Sequence, residues 1–140
     1  MNAPPRVLFT PTAVELVRRL KSEHGPLLFH QSGGCCDGSA PMCLRENDFR
    51  VGSHDVLLGV VEGSPFYIGG SQFKTWEHTQ LIIDVIPGSG DSFSIEVCGG
   101  ARFITGSRVF SEVEQASLRA AGPPQTGPAT VSGEVRMQRI

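Results

Sequence analysis

No apolar run in this chain approaches the roughly 20 residues that a membrane-crossing helix needs, so no stretch reads as a transmembrane segment. Neither sign of charge is in excess: 12 Lys and Arg face 14 Asp and Glu. A formal charge of −2 gives no electrostatic reason to bind nucleic acid or an anionic membrane. The stretch Met1 to Arg6 lacks the apolar h-region of a secretory signal, which leads to the expectation of a cytoplasmic protein. Tryptophan and tyrosine occur once each, and no internal repeat is apparent. What is abundant is glycine, with 17 residues, and proline, with 10, so turns are frequent. A chain of 140 residues has room for one domain with a real core.

Hydrophobic spacing gives the order of elements. Thr10-Pro11 is a helix start, because proline at the first helical position loses no needed N–H. Ala13, Val14, Val17 and Leu20 then recur at helical spacing, and His24-Gly25-Pro26 ends the helix. Leu27 to Gln31 reads as a buried strand. Short strands are expected around Leu44, Phe49 to Val51, Val56 to Val61 and Phe66 to Ile68. Gln80 to Ile86 is the strongest β run and is apolar nearly throughout, which predicts a central position. Phe93 to Val97 alternates with period two and is expected to form a hairpin with Ala101 to Thr105. Ser111 and Glu114 make a capping box that opens a short helix. Helix, strands, helix predicts an α+β fold, a compact and mainly antiparallel β-sandwich or barrel flanked by helices. The single domain is expected over residues 1–121. The Gly/Pro-rich stretch 122–140 is expected to be a mobile tail.

The chemistry concentrates between His30 and Cys43, in His-Gln-Ser-Gly-Gly-Cys-Cys-Asp-Gly-Ser-Ala-Pro-Met-Cys. Three of the four cysteines fall there, in a loop without helical or strand period. A cytosolic setting favours reduced or metal-bound thiols over disulfides. Thiolates bind soft metals and attack electrophiles, and N–H groups around Gly33-Gly34 can lower the pKa of a neighbouring thiol. The spacing of Cys35, Cys36 and Cys43 is not a regular zinc knuckle, but three thiolates plus one more ligand suit zinc, iron or an iron–sulfur cluster. The fourth ligand is then His30, His78, Cys98 or a residue of a second subunit, and a homodimer is expected. Cys98, at a strand end, also reads as a small buried hydrophobe. A nucleophilic reading takes Cys35 or Cys36 as the attacking group, His30 or His78 as base and Asp37 as orienter. Asp37 fits an Asx turn beside Gly38 equally well. Adjacent cysteines also suit redox exchange, with Cys43 resolving. Gln72, Trp76 and Glu77 are candidates for lining a pocket, and His24 and His54 receive no role.

Several separated motifs carry a family resemblance: His30 to Cys43, Asp55 to Gly59, Pro65 to Ile68, Gln72-Phe73, Trp76, His78 to Val85 and Arg102-Phe103. Together they resemble the bacterial domain-of-unknown-function family 779, over roughly Val7 to Glu114. Members of that family are often encoded beside aldehyde dehydrogenases, and the resemblance therefore implies such an enzyme as partner. A more distant likeness is to HesB-like A-type iron–sulfur carriers, through Thr10-Pro11, the helix, the Leu27 to Phe29 strand and Gly33-Gly34-Cys35. Their closing Cys-Gly-Cys is absent here. The resulting expectation is a metal- or thiol-handling accessory protein rather than an enzyme, with Cys35, Cys36, Cys43, His30 and His78 as its metal set. The rivals are a cysteine-dependent enzyme acting on an aldehyde or thioester, and a structural partner subunit of a dehydrogenase.

Overall fold

In the computed structural model, residues 3–31, 41–46, 50–87 and 101–127 are described. Helix α1 (Pro11–His24) begins as its sequence demands: the Thr10 hydroxyl accepts from the Ala13 amide at 3.2 Å, with Pro11 in the first turn. Its buried face is Ala13, Leu16, Val17 and Leu20. Leu16 thus takes the place expected of Val14, because i, i+3, i+4, i+7 is the unbroken stripe. The same Thr10 hydroxyl donates to Asp84 Oδ1 at 2.8 Å, and the Thr10 amide donates to the Ile83 carbonyl. Both bonds fasten the helix start to a strand.

That strand is β6 (Thr79–Pro87), the middle of a three-stranded sheet. It pairs in parallel with β1 (Val7–Phe9) and antiparallel with β7 (Ala101–Val109), from Thr79↔Val109 to Pro87↔Ala101. The central position read from its apolar run is the one it has. The expected hairpin strand at Phe93 to Val97 lies outside the described residues, as do Phe49 and Cys98, while Arg50 and Val51, the rest of the strand expected from Phe49, form no strand.

The second sheet has the order β3-β2-β5-β4. β2 (Leu27–Gln31) pairs antiparallel with β3 (Met42–Arg45) and parallel with β5 (Ser64–Ile68), and β4 (Val56–Val61) pairs antiparallel with β5. The β4–β5 turn has φ 49° at Glu62 and 79° at Gly63. Two positive φ values in a two-residue loop suit the right-handed twist of a hairpin, and Gly63 adopts its value without strain. Three of the five strand pairings are antiparallel, and the described strands form two mixed sheets, sandwich-like, with no closed barrel among them.

The sheets meet through four phenylalanines. Phe9 and Phe103 come from one sheet, Phe29 and Phe66 from the other, with ring centroids 5.2–5.9 Å apart. Such contacts add about 1 kcal/mol each beyond the area they bury. Beside them the Thr105 hydroxyl donates to Gln31 Oε1 at 2.8 Å, a buried bond between β7 and β2.

Two helices complete the described chain. α2 (Gly70–Trp76) was not legible from its Gly-Gly-Ser start. It closes because Trp76 buries itself in the core and Gly70 admits a neighbour: a Cβ there would stand 2.5 Å from the His54 carbonyl oxygen. α3 (Glu112–Ala121) carries the predicted capping box, Ser111 and Glu114 each satisfying the other's amide. Beyond it, Gln125 and Gly127 lie along β4, through the Leu57 amide to the Gln125 carbonyl and the Gly127 amide to the Asp55 carbonyl, each 2.9 Å.

Candidate functional site

Sheet topology gathers one set of polar groups at one end of the four-stranded sheet. β2 and β5 run parallel and finish together at Gln31↔Ile68. β3 and β4 run the other way, so they start there, with Met42 opposite His30 and Val56 opposite Ile68. Gln31 and Met42, the strand residues on either side of the stretch that carries the two adjacent cysteines, therefore both lie at this end. Side chains alternate across a strand. Phe29 and Gln31 face the other sheet, and His30 faces away from it, on the side of Tyr67 and Met42.

His30 is buried, 5% exposed, and its Nε2 lies 3.0 Å from Asp55 Oδ1. The other oxygen of Asp55 accepts from the Gly52 amide at 2.8 Å. Burial alone would push the Asp55 carboxyl up. The hydrogen bonds from His30 and Gly52, with the positive fields of His30 and His54, outweigh it and hold the group below its ordinary value of 3.8. An ionised carboxylate only accepts, so Nε2 carries the proton and donates. With Nε2 committed to Asp55, a ligand bond or proton transfer at His30 goes through Nδ1.

The other expected site residues fall in three places. Cys35, Cys36 and Asp37 lie outside the described residues. Cys43 is fully buried on β3 directly opposite Phe29, within the apolar core cluster. Directly paired residues share a face, so Cys43 and His30 point to opposite sides of the sheet. His78 stands after α2, its side chain 67% exposed and its Nε2 4.0 Å from Glu77 Oε1. α2 carries the chain about 10 Å from Gly70, which packs on His54, to this point. The His78 carbonyl then accepts from Phe110, beyond the end of β7, whereas Gln31 meets β7 at Thr105, roughly 15 Å back along the strand. Among the described residues no three His, Cys, Asp or Glu side chains come together as a metal-binding group.

Of the suggested pocket residues, Glu77 lines a cleft of about 530 Å³, as does His78, and Trp76 packs into the core. Asp55 entered the sequence reading only as the head of the motif Asp55 to Gly59 and received no role. Its local signal is an acid ending a Gly-Ser-His-Asp turn immediately before an apolar strand, and it sets beside His30 the kind of orienting carboxylate expected of Asp37.

A family model described as "Domain of unknown function (DUF779)" matches residues 16–109. No curated protein matches the chain, and no solved structure does. The match spans most of the chain, which belongs to that family.

Proposed function

We propose that this member of the DUF779 family is a small metal- or thiol-handling accessory protein, working through His30, Asp55 and the cysteines Cys35 and Cys36. The observation that carries the reading is the 3.0 Å bond between His30 and Asp55. A carboxylate behind an imidazole sets its tautomer and its orientation, which prepares the ring as a metal ligand or as a base for a thiol. The pair stands where β2 gives way to the cysteine segment, so a prepared nitrogen and two soft sulfurs belong to neighbouring stretches of chain. Imidazole with thiolate suits zinc or iron, held here as cargo rather than as a resident catalyst. Cys43, in the apolar core, and His78, in the cleft, are left out of this set. An aldehyde dehydrogenase as the enzyme served, and a homodimer that completes the ligand set, follow from the family's gene neighbourhood and from the need for another donor.

Elemental analysis of untagged protein tests the reading. About one zinc or iron per chain or per dimer is expected, lost in Cys35→Ser, reduced in Asp55→Asn and kept in Cys98→Ser. Metal-free protein with one thiol that reacts with iodoacetamide far faster than the others, and slows in Asp55→Asn, moves the same geometry to a cysteine-dependent enzyme acting on an aldehyde or thioester. Neither metal nor a fast thiol rejects both readings and leaves the structural partner subunit.

A further inference from the structure

The second polar region is the cleft between α2 and α3. Its volume, about 530 Å³, lies within the range of small-molecule sites. Arg6 is its distinctive residue. Chain bonds on both sides fix it: the Pro5 carbonyl accepts from Gln80 Nε2 and the Arg6 carbonyl from the Leu81 amide, each at 2.9 Å. The guanidinium lies over the Phe73 ring, 5.3 Å from its centroid. Two more exposed arginines each hold a glutamate at 2.9 Å, Arg18 with Glu62 and Arg108 with Glu114. Arg6, unlike those two, is partly buried, and among the described residues no carboxylate or carbonyl lies within bonding distance of its guanidinium. Burial lowers its pKa from 12.5, and the field of Glu77 offsets only part of that. The guanidinium lines the cleft, and its planar fork of donors fits a planar anion in two-point contact.

The rest of the cleft defines the anion. Leu118, Pro123 and Pro124 supply apolar walls. Besides His78, the acidic and basic side chains lining it are Arg6, Arg119 and Glu77, a formal net charge of one positive. We propose that this cleft binds a small monocarboxylic acid with an apolar body, its carboxylate on Arg6 and its body against Leu118 and the two prolines. The site shares no lining residue with the His30–Asp55 pair.

The test titrates full-length protein with phenylacetate and hexanoate, and with phenylacetamide and hexanamide, following amide-proton NMR shifts and the emission of Trp76, the chain's single tryptophan. The acids are expected to shift the resonances of Phe73, Glu77 and Leu118, and to bind at least tenfold more tightly than the amides. Arg6→Gln is expected to abolish that preference, Arg6→Lys to restore part of it, and Cys35→Ser to bind as the parent does. Equal binding of acid and amide overturns the proposal, as do the absence of any shift and an undiminished preference in folded Arg6→Gln. The acid–amide comparison on the unaltered chain decides the matter if Arg6→Gln does not fold.

Discussion

The end of the four-stranded sheet and the cleft between α2 and α3 each contain a histidine beside a carboxylate, and the two pairs are built in opposite ways. His30 and Asp55 lie 3.0 Å apart with side chains 7% and 17% exposed, while His78 and Glu77 lie 4.0 Å apart at 67% and 43%. Water and salt screen the second pair, so it imposes little geometry. The first is held from both sides, by β2 and by the Gly52–Asp55 turn. Identical residue types thus yield a positioned pair in one region and a solvated rim in the other, where a stacked arginine becomes the distinctive group instead.

The largest effect that sharpens this comparison is on stability. His30→Ala opens a cavity and takes away Asp55's partner, and is expected to cost about 2–4 kcal/mol. His78→Ala is expected to stay within about 0.5 kcal/mol, as exposed substitutions do. Urea unfolding midpoints measure both, and equal shifts would break the comparison. Next comes Ser111→Ala, which removes the box at the head of α3 for about 1 kcal/mol. It should loosen the cleft, weakening phenylacetate binding while leaving the metal content untouched.

A smaller effect concerns acid. Asp55 has a folded pKa below its unfolded one, so its contribution is complete above the ordinary carboxylate range and is lost as pH falls through the lower, folded value. Stability measured from pH 6 downward should therefore fall less steeply below about pH 4 in Asp55→Asn than in the parent. An unchanged acid limb contradicts the depressed pKa. The smallest is local to α3. Glu114, bonded by both Arg108 and the Ser111 amide, titrates at about 2 instead of 4.5, and NMR titration of Arg108→Ala should return it most of the way.

Features that depend on neighbours in sequence were legible. The start of α1 follows from Thr10 and Pro11, the start of α3 from Ser111 and Glu114, and the central place of β6 from an apolar run. α2 was not, since seven residues opening on glycine have little helical preference and hold together through Trp76 burial and contact with His54. Asp55 was hidden for a similar reason. It lies 25 residues from His30, and only the parallel pairing of β2 with β5, with β4 beside them, closes that separation to a hydrogen bond.

By itself the sequence determined which residues carry the chemistry and which segments coil or extend, because side-chain type and spacing act within a few residues. Tertiary structure alone decided which carboxylate stands behind which histidine. It also turned Cys43 into the core opposite Phe29, and set Arg6 on Phe73 at the mouth of a cleft. Strand register settles each of these, since it assigns every side chain to one face or the other and brings distant residues within bonding range.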